Sequence, residues 1–181
     1  MKKCINGIKM KFKIILAVAF LSLIGLYSCE PVETMPAKPF IDYTSFTVFD
    51  TTDLLGNIVK GGRLKFYFED GDGDLGLPPP VEDLDMDTVN LILRLYRLNN
   101  GVMEPAPDDD PLNPTGFRIP FMERTGQNRI LKGNIEVEFM YLFATEEDTI
   151  KYVFYVKDRA EHLSNIDSTS TLPIFYNGIY N

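Results

Sequence analysis

The residues best suited to chemistry are three aspartates spaced two apart, Asp70, Asp72 and Asp74, within GGRLKFYFEDGDGDLGLPPP (61–80). Glycines alternate with them. Glycine accepts positive φ, which lets the backbone curl and aim successive side chains at one point. D-x-D-x-D presents hard carboxylate oxygens in the way calcium loops do. The match to an EF-hand is partial: counting from Asp70, the sixth position is Leu75 instead of glycine and the twelfth is Val81 instead of glutamate. A solvated acidic turn is the plain alternative. Two carboxylates about 5 Å apart repel by roughly 3 kcal/mol at an effective dielectric of 20, but by under about 1 kcal/mol in bulk water. A buried cluster would therefore need a cation, and an exposed one would not.

The glycines at 71, 73 and 76 also spell G-x-G-x-x-G after a strand. A dinucleotide site must open a helix whose amides hold the pyrophosphate. Pro78-Pro79-Pro80 forbids that helix, and the aspartates would repel the phosphate. A nucleophilic system could be drawn from His162, Ser164 and Asp158, but all three fall in one short loop, whereas working triads draw on separated elements. The chain is read as non-enzymatic. His162 is the only histidine, which excludes a histidine-based zinc cluster.

The elements that must position these residues read as strands. Leu64, Phe66 and Phe68 share one parity, and Arg63, Lys65, Tyr67 and Glu69 the other, so the first set faces a core. Asp70 continues the core parity. Phe40 to Asp50 is a first strand, with Ile41 and Tyr43 inward and Phe46 and Val48 offset by a bulge. Val89, Leu91, Leu93 and Leu95 are the next inward set, followed by the hairpin turn Asn99-Asn100-Gly101. Pro105 to Gly116 reads as a long loop, partly disordered. Phe117 to Met122, holding Pro120, reads as a short edge strand. Ile135, Val137, Phe139, Tyr141 and Phe143 point inward, as do Ile150, Tyr152, Phe154 and Val156, and Thr169 to Phe175 is the last strand. No segment after the leader carries a helical period. About seven strands separated by turns predict an all-β fold, a two-sheet antiparallel immunoglobulin-like sandwich.

In that strand order the loop after the second strand and the loop before the last strand share a pole. Asp70, Asp72 and Asp74 should then lie beside Asp158 and Glu161, and the candidate calcium ligands are Asp70, Asp72, Asp74 and Asp158. Three outward tyrosines, Tyr67, Tyr96 and Tyr155, could form a flat surface for stacking sugars. Cross-strand aromatic pairing is the simpler expectation for them.

Residues 1–28 read as an export signal. Lysines at 2, 3, 9, 11 and 13 precede an apolar run from Ile14 to Tyr27, about 14 residues and too short for a bilayer-spanning helix. Met10 offers an alternative start. Residues 29–39 read as a modified cysteine and a proline-rich tether, and 40–181 as the sandwich. The formal charge is −8, with 18 basic and 26 acidic residues. Setting the five leader lysines aside leaves 13 basic, or −13, which argues against nucleic acid or an anionic membrane surface as partner. Cys4 and Cys29 are the only cysteines, so no disulfide is expected to staple the sandwich.

Leu26-Tyr27-Ser28-Cys29 resembles the bacterial lipobox, which implies diacylation of Cys29 and anchoring in the outer membrane. VKDRAEHLSN resembles the D-x-A-G-N-x-S turn of bacterial immunoglobulin-like modules, with Glu161 and His162 in place of its Gly-Asn. With F-x-D-G-D-G-D-L-G upstream, residues 40–175 resemble the immunoglobulin-like lipoproteins of Bacteroidetes-type bacteria. That resemblance implies a non-catalytic envelope module for binding, adhesion or assembly, with an envelope protein or a glycan as partner. A glycan-capturing lipoprotein of a nutrient-uptake system is the alternative. In that group, acidic residues after the cysteine favour display on the outer face. Only Glu30 and Glu33 are at hand, so the cell surface and the periplasmic face both stay open.

Overall fold

Alternation carries directly into the two longest strands. In the computed structural model, which describes residues 35–80, 89–114, 116–123 and 129–181, β1 (Phe40–Thr52) and β2 (Ile58–Asp70) pair antiparallel along their whole length. The register shifts between Tyr43 and Ser45, where the bulge was expected, and this returns Phe46 and Val48 to the core. The expected export signal, Cys29 and residues 30–34 of the tether lie outside the described residues.

The remaining strands are β3 (Leu91–Asn99), β4 (Val102–Pro105), β5 (Leu131–Tyr141), β6 (Thr149–Val156), β7 (Asp167–Ser168), β8 (Leu172–Pro173) and β9 (Gly178–Tyr180). They form two antiparallel sheets, one in the order β5-β2-β1-β9 and the other β4-β3-β6-β7, with β8 also on β6. Placing the first, second and fifth strands in one sheet and the third and sixth in the other is the immunoglobulin-type arrangement. The sheets meet through aromatic side chains: Phe66 of β2 lies 5.4 Å from Phe154 of β6, and Phe139 of β5 stacks 5.3 Å from Tyr152. The β3–β4 turn puts Asn100 and Gly101 at φ 49° and 82°, the left-handed pair a tight hairpin requires.

Several expectations need correction. Thr169 to Phe175 is not one strand; the C-terminal segment breaks into β7, β8 and β9, of which β7 and β8 pair with β6 and β9 with β1. Phe117 to Met122 makes only isolated bridges, Phe117 with Leu91 and Pro120 with Leu77. Phe143 is 71% exposed, since β5 ends at Tyr141 before its alternation does. The described part of loop 105–116, expected to be partly disordered, packs onto the domain: Leu112 enters the core and Asp110 pairs with Arg97. The described end of the tether also belongs to the folded unit, which runs Met35–Asn181. Gly71 donates its N–H to the Pro36 carbonyl at 3.1 Å.

Candidate metal centre at the end of β2

β2 delivers Asp70 to the core end of the sheet, where continued inward parity leaves it 0% exposed. The chain then turns through Gly71-Asp72-Gly73. Gly73 has φ +68°, and a side chain at Gly71 would collide with the Pro36 and Met35 carbonyls at 2.3 and 2.4 Å. Both glycines are therefore required for the turn to close. Asp70 Oδ2 accepts the N–H groups of Asp74 and Leu75, at 2.7 and 2.8 Å, which ties the loop back on the strand.

This folding brings Asp70, Asp72 and Asp74 together, with one carboxylate oxygen of each within 4.8 Å of the others. Asp70 Oδ1, Asp72 Oδ1 and Asp74 Oδ1 are all buried without a hydrogen-bond partner. Buried carboxylate oxygens are normally satisfied, and leaving them bare is costly. Burial first, and then the adjoining Asp72 carboxyl, push Asp70 up to about 6. Burial also raises Asp74 above the usual carboxylate range; Asp158 and Asp72 add to this and Arg159 opposes it. Without a cation, Asp70 and Asp74 resist ionisation.

The loop after β6 does reach the same pole. Arg159 donates its main-chain N–H to the Asp74 carbonyl and its guanidinium to the Gly76 carbonyl, at 3.3 and 2.6 Å. Asp158 is buried beside the cluster, but both its oxygens are engaged by His162, Oδ1 accepting the N–H at 2.8 Å and Oδ2 lying 2.9 Å from Nδ1. Three of the four expected ligands thus converge, and Asp158 stands next to them as a loop brace. Glu161 is tied to Lys157 at 3.2 Å and holds φ +69°, the position where the resembled turn carries glycine.

Ser164 does not join His162 and Asp158. Its hydroxyl donates to the Asn165 carbonyl and accepts the Val156 N–H. The three tyrosines divide between the sheets: Tyr96 and Tyr155 share the outer face of β3 and β6, whereas Tyr67 lies on β2 in the other sheet. Parity tells inward from outward but not which sheet. The expected cross-strand aromatic pairs do not form either, since Tyr96 faces Lys151 and Tyr155 faces Ile92.

Asn90 is the site residue that sequence reasoning missed. It is fully buried, donates to the Leu75 carbonyl at 2.7 Å and accepts the Ile119 N–H at 2.7 Å. It clamps the exit of the acidic loop to the 117–119 segment. Its parity is outward, so alternation gave no hint of it; a polar residue directly before a strand was the only signal. Compared with known proteins, the chain matches no family model, no curated protein and no solved structure.

Proposed function

We propose that this chain is a non-catalytic binding module of the bacterial envelope, lipid-anchored through Cys29 and held in shape by a calcium ion at Asp70, Asp72 and Asp74. One observation carries the metal: three carboxylates that bring an oxygen each within 4.8 Å of the others, each also holding a buried oxygen with no hydrogen-bond partner, and one of them on a fully buried residue. Calcium takes six to eight oxygen ligands in flexible geometry, so these three supply up to half, with water and main-chain carbonyls completing the shell. Magnesium demands a stricter octahedron and keeps its own waters. The ion's role here is structural. It neutralises the end of β2 and fixes the turn that seats Met35 and Pro36, where the tether enters the fold. The lipobox resemblance supports the envelope setting.

Calorimetric titration of the protein with CaCl2 tests the metal. We expect saturable binding of one ion, weaker binding of MgCl2, and none to Asp70→Asn. A flat calcium titration removes the ion from the proposal and leaves a metal-free acidic turn. Labelling with radioactive palmitate in a bacterial host, with Cys29→Ser as control, tests the anchor. Label that persists in the variant would remove the anchor.

A second reading, glycan capture, is favoured by one feature: Tyr96 and Tyr155 line a common groove.

A further inference from the structure

The outer face of β3 and β6 concentrates features that the rest of the surface scatters. Tyr96 is in register with Lys151, and Tyr155 with Ile92. The two rings therefore stand four residues apart on neighbouring strands, about 13 Å along the strand direction. Arg94 and Val153, paired with each other, fill the interval. Lys38 and the 163–166 segment rise beside them and close a groove of about 580 Å³. Its wall includes Leu163 and Ile166, 48% and 70% exposed.

Among the described residues neither tyrosine packs against another aromatic ring, and both line the groove, half-buried. Lys38, Arg94 and Lys151 have no acidic partner among the described residues. By contrast, the outer face of β2 and β5 matches its cations to acids, Arg63 to Glu138 and Lys65 to Glu136. Three uncompensated cations on one face of a chain with net charge −8 form a local reversal of sign, which attracts an anion.

We propose that this groove binds an acidic oligosaccharide. Tyr96 and Tyr155 stack on sugar rings near its two ends, and Arg94 and Lys38 pair with carboxylate or sulfate groups between them. A guanidinium fork suits a planar carboxylate. Tyrosine offers an apolar ring with a polar tip, which suits the C–H face and hydroxyl rim of a sugar. Val153, Leu163 and Ile166 supply the apolar floor and wall. A span of about 13 Å exceeds a single ring, so the ligand is a chain. This inference rests on the glycan reading and narrows it to ligands that carry negative charge.

The test is a glycan array holding acidic and neutral oligosaccharides, probed with the protein in CaCl2 and again in chelator, so that bridging by calcium is told apart from direct pairing. The strongest acidic hit is then titrated. We expect acidic glycans to dominate, and binding to weaken as salt rises. Arg94→Gln should lose about tenfold or more in affinity, the scale of one charge-assisted hydrogen bond, with unchanged melting temperature, and Tyr155→Ala should lose a similar factor through its stacking ring. Hits confined to neutral glycans, or an acidic hit untouched by Arg94→Gln, overturn the acidic inference and leave glycan capture standing. Binding to no glycan, or to anionic phospholipid vesicles alone, overturns both.

Discussion

Acidic residues gather at both ends of β6, and the two ends meet the same electrostatic problem by different means. At the start of the strand, Arg97 reaches Asp110 and Asp148 together, its Nη2 lying 2.8 Å from Asp110 Oδ1. Hydrogen bonding to Arg97 holds Asp110 below the usual carboxylate range. Asp148, despite partial burial, is held low by the Thr145 amide and by Arg97. At the other end, Asp70, Asp72 and Asp74 face one another, and the neighbouring Arg159 guanidinium spends itself on the Gly76 carbonyl. Asp70 and Asp74 are shifted up instead of down. A cluster with its own guanidinium is electrostatically closed; a cluster without one stays open to a cation from solution. That contrast, more than the D-x-D-x-D pattern, points to a metal.

Removing the built-in cation should have the largest effect. Arg97→Met leaves two partly buried carboxylates uncompensated and should cost about 3 kcal/mol in urea denaturation, toward the lower end for breaking a buried pair because Arg97 is still partly exposed. A loss below about 0.5 kcal/mol would mark an ordinary surface pair and erase the contrast.

The pH dependence of the two ends should differ in sign. Asp110 and Asp148, shifted down, add stability that is present above their unfolded pKa near 4 and is lost as pH falls below it. Asp70, shifted from 3.8 up to about 6, adds stability that is complete below about 4 and disappears as pH rises through about 6. In chelator, the stability of wild type relative to Asp70→Asn should therefore fall by about 2–3 kcal/mol between pH 4 and 7. With calcium bound the ionised form is favoured, and the slope should flatten or reverse. Equal slopes with and without calcium would mean that no ion enters.

Asn90→Ala leaves the Leu75 carbonyl and the Ile119 amide buried without partners and should cost about 2 kcal/mol. It should also weaken calcium binding, because the loop exit loses its clamp. Denaturation and titration on the same variant separate the two effects. The smallest change is a gain: Glu161→Gly relieves a left-handed residue and should stabilise the fold by about 0.5–1 kcal/mol, since the exposed Lys157 contact it removes is worth little. A loss would show that the contact outweighs the strain.

How much of this was legible follows from the range of the interactions. Parity is local, so the inward faces of β2, β3 and β6 and the burial of Asp70 could be read from spacing, as could the bulge after Tyr43. Topology carried the next step, placing the loop after β6 beside the acidic loop. What spacing could not show depends on partners distant in sequence. Arg97 meets Asp110 and Asp148 only once loop 105–116 folds back, and Asp158 turns from the cluster because His162 takes its oxygens. Tyr67 parts from Tyr96 because the chain changes sheets between β2 and β3. The C-terminal strand breaks because its pieces pair with strands of different sheets, β7 and β8 with β6 and β9 with β1.

The most direct test of the central claim is thermal unfolding at pH 7 of wild type and Asp70→Asn, each in calcium and in chelator. At a hundred times the dissociation constant, an ion bound only to the native state adds about 2.7 kcal/mol, which for a domain of this size raises the midpoint by about 5–10 °C. The account predicts that rise in wild type and none in Asp70→Asn, with the variant the more stable of the two in chelator. Identical midpoints for wild type in calcium and chelator would contradict it.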